Sequence, residues 1–545
     1  MIELDHAATV PAFIRHLAAT RGHHPLLILG QDRLSYVEAD AESGAVARGL
    51  LAVGVGKGTR VGVLMPNGPD WLIAWLAAAR IGAVVVPINT FYQARELRWV
   101  LAHSDCAVLL MRPRLLGHDY EARLEEVAPE LEAALSSELW LPSLPFLRRV
   151  YVWGESDRRW AASSSGELRE RVRGNRALDD RFLRIVEAHV SPADPMMIIY
   201  SSGSSADPKG AIHTHGGVLR HARALNEHRR IGPDDRMYSP MPFFWVGGFV
   251  YSLLACMHAG ATLVCETAFD PEKTLDTLER ERVTIAVGWP HYAKGMAEHP
   301  SFARRQLDSL HSGNLWAILP EPLRPRDPEL RSNSLGMTET GGPHTYDNMD
   351  RELPEALRGS FGHAVHGFEH KIVDPASGAT LGPGELGEIC VRGPGVMQGL
   401  VKVEDHEVFD ADGYYHTGDS GYFDADGVLF FKGRLGELIK TGGANVTPRE
   451  VEVAVQAQAE VKEAYVVGLP DETRGEIVAA AVVLKAGHEL ASDELRARLK
   501  RELAAYKVPR LVWFCDSAAL PFTDSGKIDK RRLKAVLDRE LRGAA

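Results

Sequence analysis

The sequence predicts an α/β fold in two parts. A large N-terminal domain, residues 1–433, has mainly parallel sheets covered by helices, and a small α+β C-terminal domain occupies residues 434–545. Three observations lead there. At 545 residues the chain is too long to close around one hydrophobic core. Short apolar runs of strand length alternate with helix-length segments, the pattern of strand–helix–strand units with parallel strands. Near Gly433-Arg434-Leu435-Gly436 that pattern gives way to a compact α+β one of about 110 residues, enough for an independent unit.

The elements follow in order. Residues 59–65 form a buried strand, since Val61, Val63, Leu64 and Met65 leave no polar face. Residues 70–79 follow as a helix. Its run Leu72-Ile73-Ala74-Trp75-Leu76-Ala77-Ala78-Ala79 is apolar on every side but stops at Arg80, well short of the roughly 20 residues of a membrane span. Residues 83–87 are the next strand. After the apolar run 196–199 a second cycle begins: helix 219–230, strand 261–265, helix 271–282 opening on a proline, and strand 284–288. Segment 112–183 breaks the rhythm. Its charge-rich helical stretches and the small-residue run Ala161-Ala162-Ser163-Ser164-Ser165-Gly166 read as a solvated surface excursion. Short glycine-rich strands such as 388–393 precede the boundary. Beyond it come strands 464–468 and 477–484, helix 493–505, strand 511–515 and a terminal helix. There is no internal repeat and no low-complexity tract.

Composition excludes several function classes. A net charge of −11 gives no general attraction to nucleic acid or anionic lipid, so no nucleic-acid partner is expected. From Arg434 onward 19 Lys and Arg face 17 Asp and Glu, a net of +2, while the remainder carries −13; the C-terminal part is slightly better suited to an anionic acceptor. Five scattered cysteines with no C-x-x-C pair suit a reducing cytoplasm and speak against a disulfide framework or structural zinc. Met1-Ile2-Glu3-Leu4-Asp5-His6 has no basic region before an apolar stretch, and no integral membrane segment is expected.

Two loops carry the chemistry. Tyr200-Ser201-Ser202-Gly203-Ser204-Ser205-Ala206-Asp207-Pro208-Lys209-Gly210 follows directly on an apolar strand. Small hydroxylated residues let backbone N–H groups approach a polyphosphate, and Lys209 adds a point charge. The spacing is not that of the P-loop: Lys209 follows Gly203 by six residues, and Gly210 stands where Ser or Thr would. Pro521-Phe522-Thr523-Asp524-Ser525-Gly526-Lys527-Ile528 is the second. Between them lie Leu335-Gly336-Met337-Thr338-Glu339-Thr340, Tyr415-His416-Thr417-Gly418-Asp419, and Gly433-Arg434-Leu435-Gly436-Glu437-Leu438-Ile439-Lys440-Thr441-Gly442-Gly443. Alone, Thr-Glu opens a helix and Gly-Asp makes a turn; the order of all five is what carries weight.

That order resembles the adenylate-forming superfamily, which includes acyl-CoA synthetases, firefly luciferase and stand-alone adenylation domains. The resemblance is greatest to a fatty-acid-type acyl-CoA synthetase and runs from about Ala8 to Arg539. It implies ATP-dependent activation of a carboxylic acid through an acyl-AMP, transfer to coenzyme A, and a C-terminal domain that is mobile. ATP, Mg²⁺ and coenzyme A are the implied cofactors. Lys209 with Ser202, Gly203, Ser204 and Ser205 matches the phosphate loop, Met337 and Thr338 the nucleotide side, and Glu339 the carboxylate that holds magnesium. Asp419 matches the acceptor for the ribose hydroxyls, and Arg434 the arginine that reaches the nucleotide. Gly442 and Gly443 match the turn at the pantetheine tunnel. Lys527 matches the catalytic lysine, whose cation offsets repulsion between the carboxylate and the α-phosphate. Phe244, Trp245 and Gly247 lie in the segment that lines the acyl pocket. Trp245 cannot hold an α-ammonium as the aspartate of amino-acid-activating relatives does, and Gly336 leaves room for an extended chain.

Four departures stand out. Leu335 replaces the aromatic residue that stacks on adenine, Ala206 replaces a glycine, and Gly436 replaces the charged hinge residue. Segment 311–334, with Leu315-Trp316-Ala317-Ile318-Leu319-Pro320-Glu321-Pro322, is shorter than the usual turn, helix and strand. The substrate expected is a hydrophobic medium- or long-chain or bulky alicyclic acid. An acyl-AMP ligase that loads a carrier protein and a non-catalytic nucleotide-binding relative are the alternatives; a homodimer is left open.

Overall fold

The computed structural model describes residues 4–542 apart from 164–165, 167, 169, 171, 173–174, 202–206, 438, 442–443, 447, 472–473, 504 and 524–526. The chain divides into two compact units: residues 1–370 with 391–415, and residues 371–390 with 416–545. The second unit therefore takes in two stretches that precede Arg434.

The first unit is the α/β body. Its larger sheet has eight strands in the spatial order Gly399–Leu400, Lys209–Thr214, Pro195–Ser201, Val84–Pro87, Arg60–Leu64, Val108–Met111, Arg149–Val152 and Ala161–Ser163. From Pro195–Ser201 to Ala161–Ser163 every pairing is parallel; only the two strands at the other edge run antiparallel to their neighbours. Successive residues feed opposite cores. Val61, Val63, Val85, Met197 and Ile199 face one, while Leu64, Val84, Val86, Ile198 and Tyr200 face the other. With both faces covered, the strands read as unbroken apolar runs. A second sheet orders Ser312–Gly313, Ile285–Ala286, Arg236–Tyr238, Thr262–Cys265, Pro25–Leu29 and Asp32–Ser35.

Helix Pro69–Ala79 is buried along its whole length from Trp71 onward. Arg80, which ends it, is itself buried, bonded to Glu187 at 2.6 Å and Asp40 at 2.8 Å. No helix among the described residues is long and apolar enough to cross a membrane.

Segment 112–183 corrects the expectation of a solvated excursion. It supplies strands Arg149–Val152 and Ala161–Ser163 and helix Tyr120–Val127, and it buries Leu124, Leu131, Leu141, Leu144, Leu147 and Trp160. Its acids misled because they turn inward to partners. Glu125 accepts from Trp160 Nε1 at 3.0 Å and pairs with Arg158, and Glu121 accepts from Ser156.

A four-stranded sheet, most of whose residues belong to the second unit, orders Glu369–Val373, Gly387–Arg392, Tyr415–Phe423 and Leu429–Arg434. A five-stranded sheet follows, centred on the long antiparallel pair Val461–Asp471 and Gly475–Leu484. Val478, Ala480 and Val482 face a core with Val451, Leu495 and Leu499; Ile477, Ala479 and Ala481 face another with Leu533 and Leu537. The α+β expectation holds, except that the helix placed at 493–505 is Ser492–Leu499.

Candidate active site

In the first unit, strand Pro195–Ser201 ends where the small-residue loop begins, and strand Lys209–Thr214 returns antiparallel with Lys209 opposite Ser201. Ser202, Gly203, Ser204, Ser205 and Ala206 lie outside the described residues. The limbs are fixed. Arg95 and Trp99, one turn apart on helix Ala94–His103, hold the returning limb. Arg95 pairs with Asp207 at 3.0 Å, and Trp99 Nε1 donates to the Pro208 carbonyl at 3.0 Å. Lys209 itself is exposed.

The Thr338–Thr340 turn meets the other limb. Ser201 Oγ donates to Glu339 Oε1 at 3.3 Å, so the carboxylate expected to hold metal converges on the end of the phosphate loop. His213 Nε2 donates to the Thr338 carbonyl at 2.8 Å, and the Met397 N–H donates to the Glu339 carbonyl at 2.7 Å. Burial pushes the His213 imidazole down to about 4 against that bond, leaving it neutral with its proton on Nε2 at pH 7. Thr340 Oγ1 donates to the Gly342 carbonyl at 2.7 Å and accepts the Met337 N–H at 3.2 Å. Leu335 is buried and Met337 half-buried. A Cβ at Gly336 would lie 2.5 Å from the Gly342 backbone, so the close approach of strands Leu335–Met337 and Gly342–Tyr346 by itself requires glycine.

Phe244, Trp245 and Gly247 belong to a tight bend. Asn67 clamps it, donating to the Met241 carbonyl at 2.9 Å and accepting the Phe243 N–H at 2.8 Å. A π-helical stretch, Phe249–Leu254, follows. The half-buried Trp245 ring packs edge-on against Phe244 at 5.1 Å and Trp289 at 6.4 Å, with the exposed Phe91 at 6.4 Å. Trp289 and Tyr292 extend this wall to Phe269. The shortened segment 311–334 runs from strand Ser312–Gly313 through three 3₁₀ turns, Trp316–Ile318, Glu321–Leu323 and Pro328–Leu330.

In the second unit Asp419 and Arg434 come together. They sit opposite each other on paired strands, and Arg434 Nε lies 2.8 Å from the buried Asp419 carboxylate while its Nη1 donates to the Thr417 carbonyl at 2.9 Å. The intervening Gly418 takes a left-handed φ of 71°, and its N–H donates to Glu388 at 3.0 Å. Gly436 lies in the 3₁₀ turn Leu435–Glu437, with open space around its Cα. Lys527 is exposed. Thr523 N–H donates to the Lys527 carbonyl at 2.7 Å, and Phe522 bridges to Ile528. Strands Ile439–Thr441 and Ala444–Val446 pair antiparallel; Gly442 and Gly443 between them lie outside the described residues.

Reading along the sequence misses His213, Trp99, Arg95, Asn67 and Glu388. The one available signal was His213-Thr214-His215, two imidazoles where a strand passes into a helix.

Comparison with known proteins gives a consistent picture. Residues 14–401 match the model of the AMP-binding enzyme family, and residues 450–527 that of the AMP-binding enzyme C-terminal domain. The chain is 32% identical to the putative acyl-CoA synthetase YngI of Bacillus subtilis, covering 92% of each. It is 33% identical to 3-[(3aS,4S,7aS)-7a-methyl-1,5-dioxo-octahydro-1H-inden-4-yl]propanoyl:CoA ligase of Mycobacterium tuberculosis, covering 97% of this chain and 99% of that one. Among solved structures, ATP-bound MatB from Rhodopseudomonas palustris superposes with a TM-score of 0.77 at 25% identity, over 97% of this chain and 99% of that one.

Proposed function

The chain belongs to the AMP-binding enzyme family, and from that premise we propose that it is an AMP-forming acid–CoA ligase acting on a hydrophobic medium- or long-chain or bulky alicyclic acid. A carboxylate oxygen attacks the α-phosphorus of ATP and the bond to pyrophosphate breaks, giving acyl-AMP. The thiol of coenzyme A, losing its proton, then attacks the acyl carbonyl, and the bond to AMP breaks. The observation that carries the reading is the convergence of Glu339 on Ser201, at the end of the strand that launches the phosphate loop.

Each residue then has a task. Lys209 and the loop 202–205 hold the phosphates, Asp419 accepts the ribose hydroxyls, and Arg434 reaches the nucleotide. Thr338 and Met337 flank it. Glu339 and the hydroxyl of Ser201 form a hard-oxygen donor set that suits magnesium, which when bound supplies charge neutralisation at the phosphates. Lys527 offsets the repulsion between carboxylate and α-phosphate in the first half-reaction. Gly442 and Gly443 border the route of the pantetheine. Residues 434–545 move between the two half-reactions, with Gly436 as the free joint.

The aromatic wall of Phe91, Phe244, Trp245, Trp289 and Tyr292 supports the acyl class. It offers apolar area, and Trp245 carries no charge to hold an α-ammonium. The bicyclic propanoyl group named for the mycobacterial relative is of the same class. Each methylene buried there is worth about 0.8 kcal/mol, roughly fourfold in kcat/KM per carbon. The test is a chain-length and ring-size series assayed by pyrophosphate release, with coenzyme A present. kcat/KM is expected to rise with apolar size until the pocket fills. Acetate or benzoate outperforming octanoate overturns the substrate class, and thioester formation on a carrier protein alone overturns the acceptor.

A further inference from the structure

Three side chains outside the proposed machinery meet on one face of the four-stranded sheet. Glu388 and Cys390 are two residues apart on strand Gly387–Arg392 and so point the same way; His416 comes from the neighbouring strand Tyr415–Phe423. His416 Nδ1 lies 2.8 Å from Glu388 Oε2 and 3.5 Å from Cys390 Sγ, and one ligand atom from each of the three falls within 4.8 Å of the others. Cys390 is buried and forms no disulfide, while His416 opens the cluster to solvent.

We propose that Glu388, Cys390 and His416 bind a thiophilic divalent ion of the zinc type, and that its occupancy stiffens the turn bearing Asp419. Zinc takes sulfur at about 2.3 Å and nitrogen or oxygen at about 2.0–2.2 Å, which sets neighbouring ligand atoms roughly 3.3–3.7 Å apart in a tetrahedron. The sulfur–nitrogen pair already has that spacing, and the nitrogen–oxygen pair needs to open by less than about 1 Å. Binding at Nδ1 moves the His416 ring proton to Nε2 and releases the Cys390 thiol proton to solvent, and water fills the fourth position. Glu388 links ion to turn: with Oε2 on the ion, Oε1 keeps its 3.0 Å bond from the Gly418 N–H, and Gly418 sits between Thr417 and Asp419. Fixing the carboxylate fixes the left-handed turn. The metal site stands apart from the ligase reading, whereas its coupling to nucleotide rests on it.

Cobalt(II) titration of the full chain tests both parts. The expected result is one equivalent giving a sulfur-to-cobalt charge-transfer band in the near ultraviolet. The band should vanish on adding zinc and be absent from Cys390→Ser, yet persist in Cys515→Ser, which alters the one cysteine that is not buried. If Cys390→Ser fails to fold, His416→Asn on the open rim takes its place. No band, or one that survives Cys390→Ser and is lost in Cys515→Ser, overturns the site. Saturating AMP should tighten cobalt binding about fivefold by linkage. AMP in free solution chelates cobalt and acts in the opposite sense, so tightening reports the protein. A band indifferent to AMP, or weakened by it, overturns the coupling and leaves the ligase reading untouched.

Discussion

Glu339 and Lys527, the two groups proposed to bear charge in the first half-reaction, are held in opposite ways. The Thr338–Thr340 turn is braced from far along the chain: Ser201 reaches it across 138 residues, His213 across 125, and Met397 through its backbone. Lys527 is tied instead to a residue four positions back. Thr523 donates to the Lys527 carbonyl through both its N–H and its hydroxyl, and accepts the Lys527 N–H at 3.3 Å. The difference teaches a division of labour. Under the proposed roles, a carboxylate that stays in register with phosphates is over-determined by its surroundings. A lysine proposed to act in one half-reaction is anchored from close by in the chain, through Thr523.

The largest effect should come from Lys527. Lys527→Ala is expected to slow adenylation by about 10²–10³-fold, while thioester formation from supplied acyl-AMP and the unfolding midpoint stay near wild type. Bulk at the tunnel should do the reverse, Gly442→Leu impairing thioester formation more than adenylation. Single-turnover assays of the two half-reactions decide; equal loss of both with Lys527→Ala would make that lysine structural.

A smaller effect is expected from the braced turn, and it should show in both activity and stability. His213→Ala removes a buried donor and leaves the Thr338 carbonyl unmatched, at a cost of about 1–3 kcal/mol. The KM for ATP should rise about tenfold as Glu339 loses register. His213→Gln, whose amide can still donate, should recover part of the KM. Lower stability at unchanged KM would reduce His213 to a packing residue.

The smallest effect concerns pH. Burial pushes His213, His215 and His370 down to about 4, and His221 and His258 to about 3. All five lie in the first unit. Unfolded imidazoles protonate near 6.5, so between about pH 6.5 and 4 the unfolded chain binds more protons than the folded one. Stability is therefore expected to fall as pH drops through that window. His213→Gln should flatten the dependence of the urea midpoint on pH by up to about one proton. An unchanged slope would show that His213 takes up no proton on unfolding.

Much of the body was legible because buried parallel strands write themselves as uninterrupted apolar runs; residues 59–65 and 83–87 fall within a residue of strands Arg60–Leu64 and Val84–Pro87. Segment 112–183 was not. Glu121 and Glu125 look like a solvated face in one dimension, and only the fold reveals Ser156, Arg158 and Trp160 as their inward partners. The site divides the same way. Linear motifs announce the residues proposed to meet the nucleotide, such as Thr338, Glu339 and Asp419. Braces such as Trp99, which meets Pro208 from 109 residues away, leave no local trace. The Glu388–Cys390–His416 cluster escaped because its ligands come from two strands rather than one C-x-x-C run.

The two-residue strand Gly399–Leu400 pairs with Ile212 and Ala211 and so completes the edge beside the phosphate-loop strand. During synthesis that edge waits for nearly 190 further residues, about 10–40 s at ribosomal rates of roughly 5–20 residues per second. Throughout that interval the strand Lys209–Thr214 lacks its outer partner and leaves backbone groups at that edge unpaired. The late arrival of a dipeptide thus sets how long this edge waits for its partner, and slowing elongation between codons 214 and 399 would lengthen the wait.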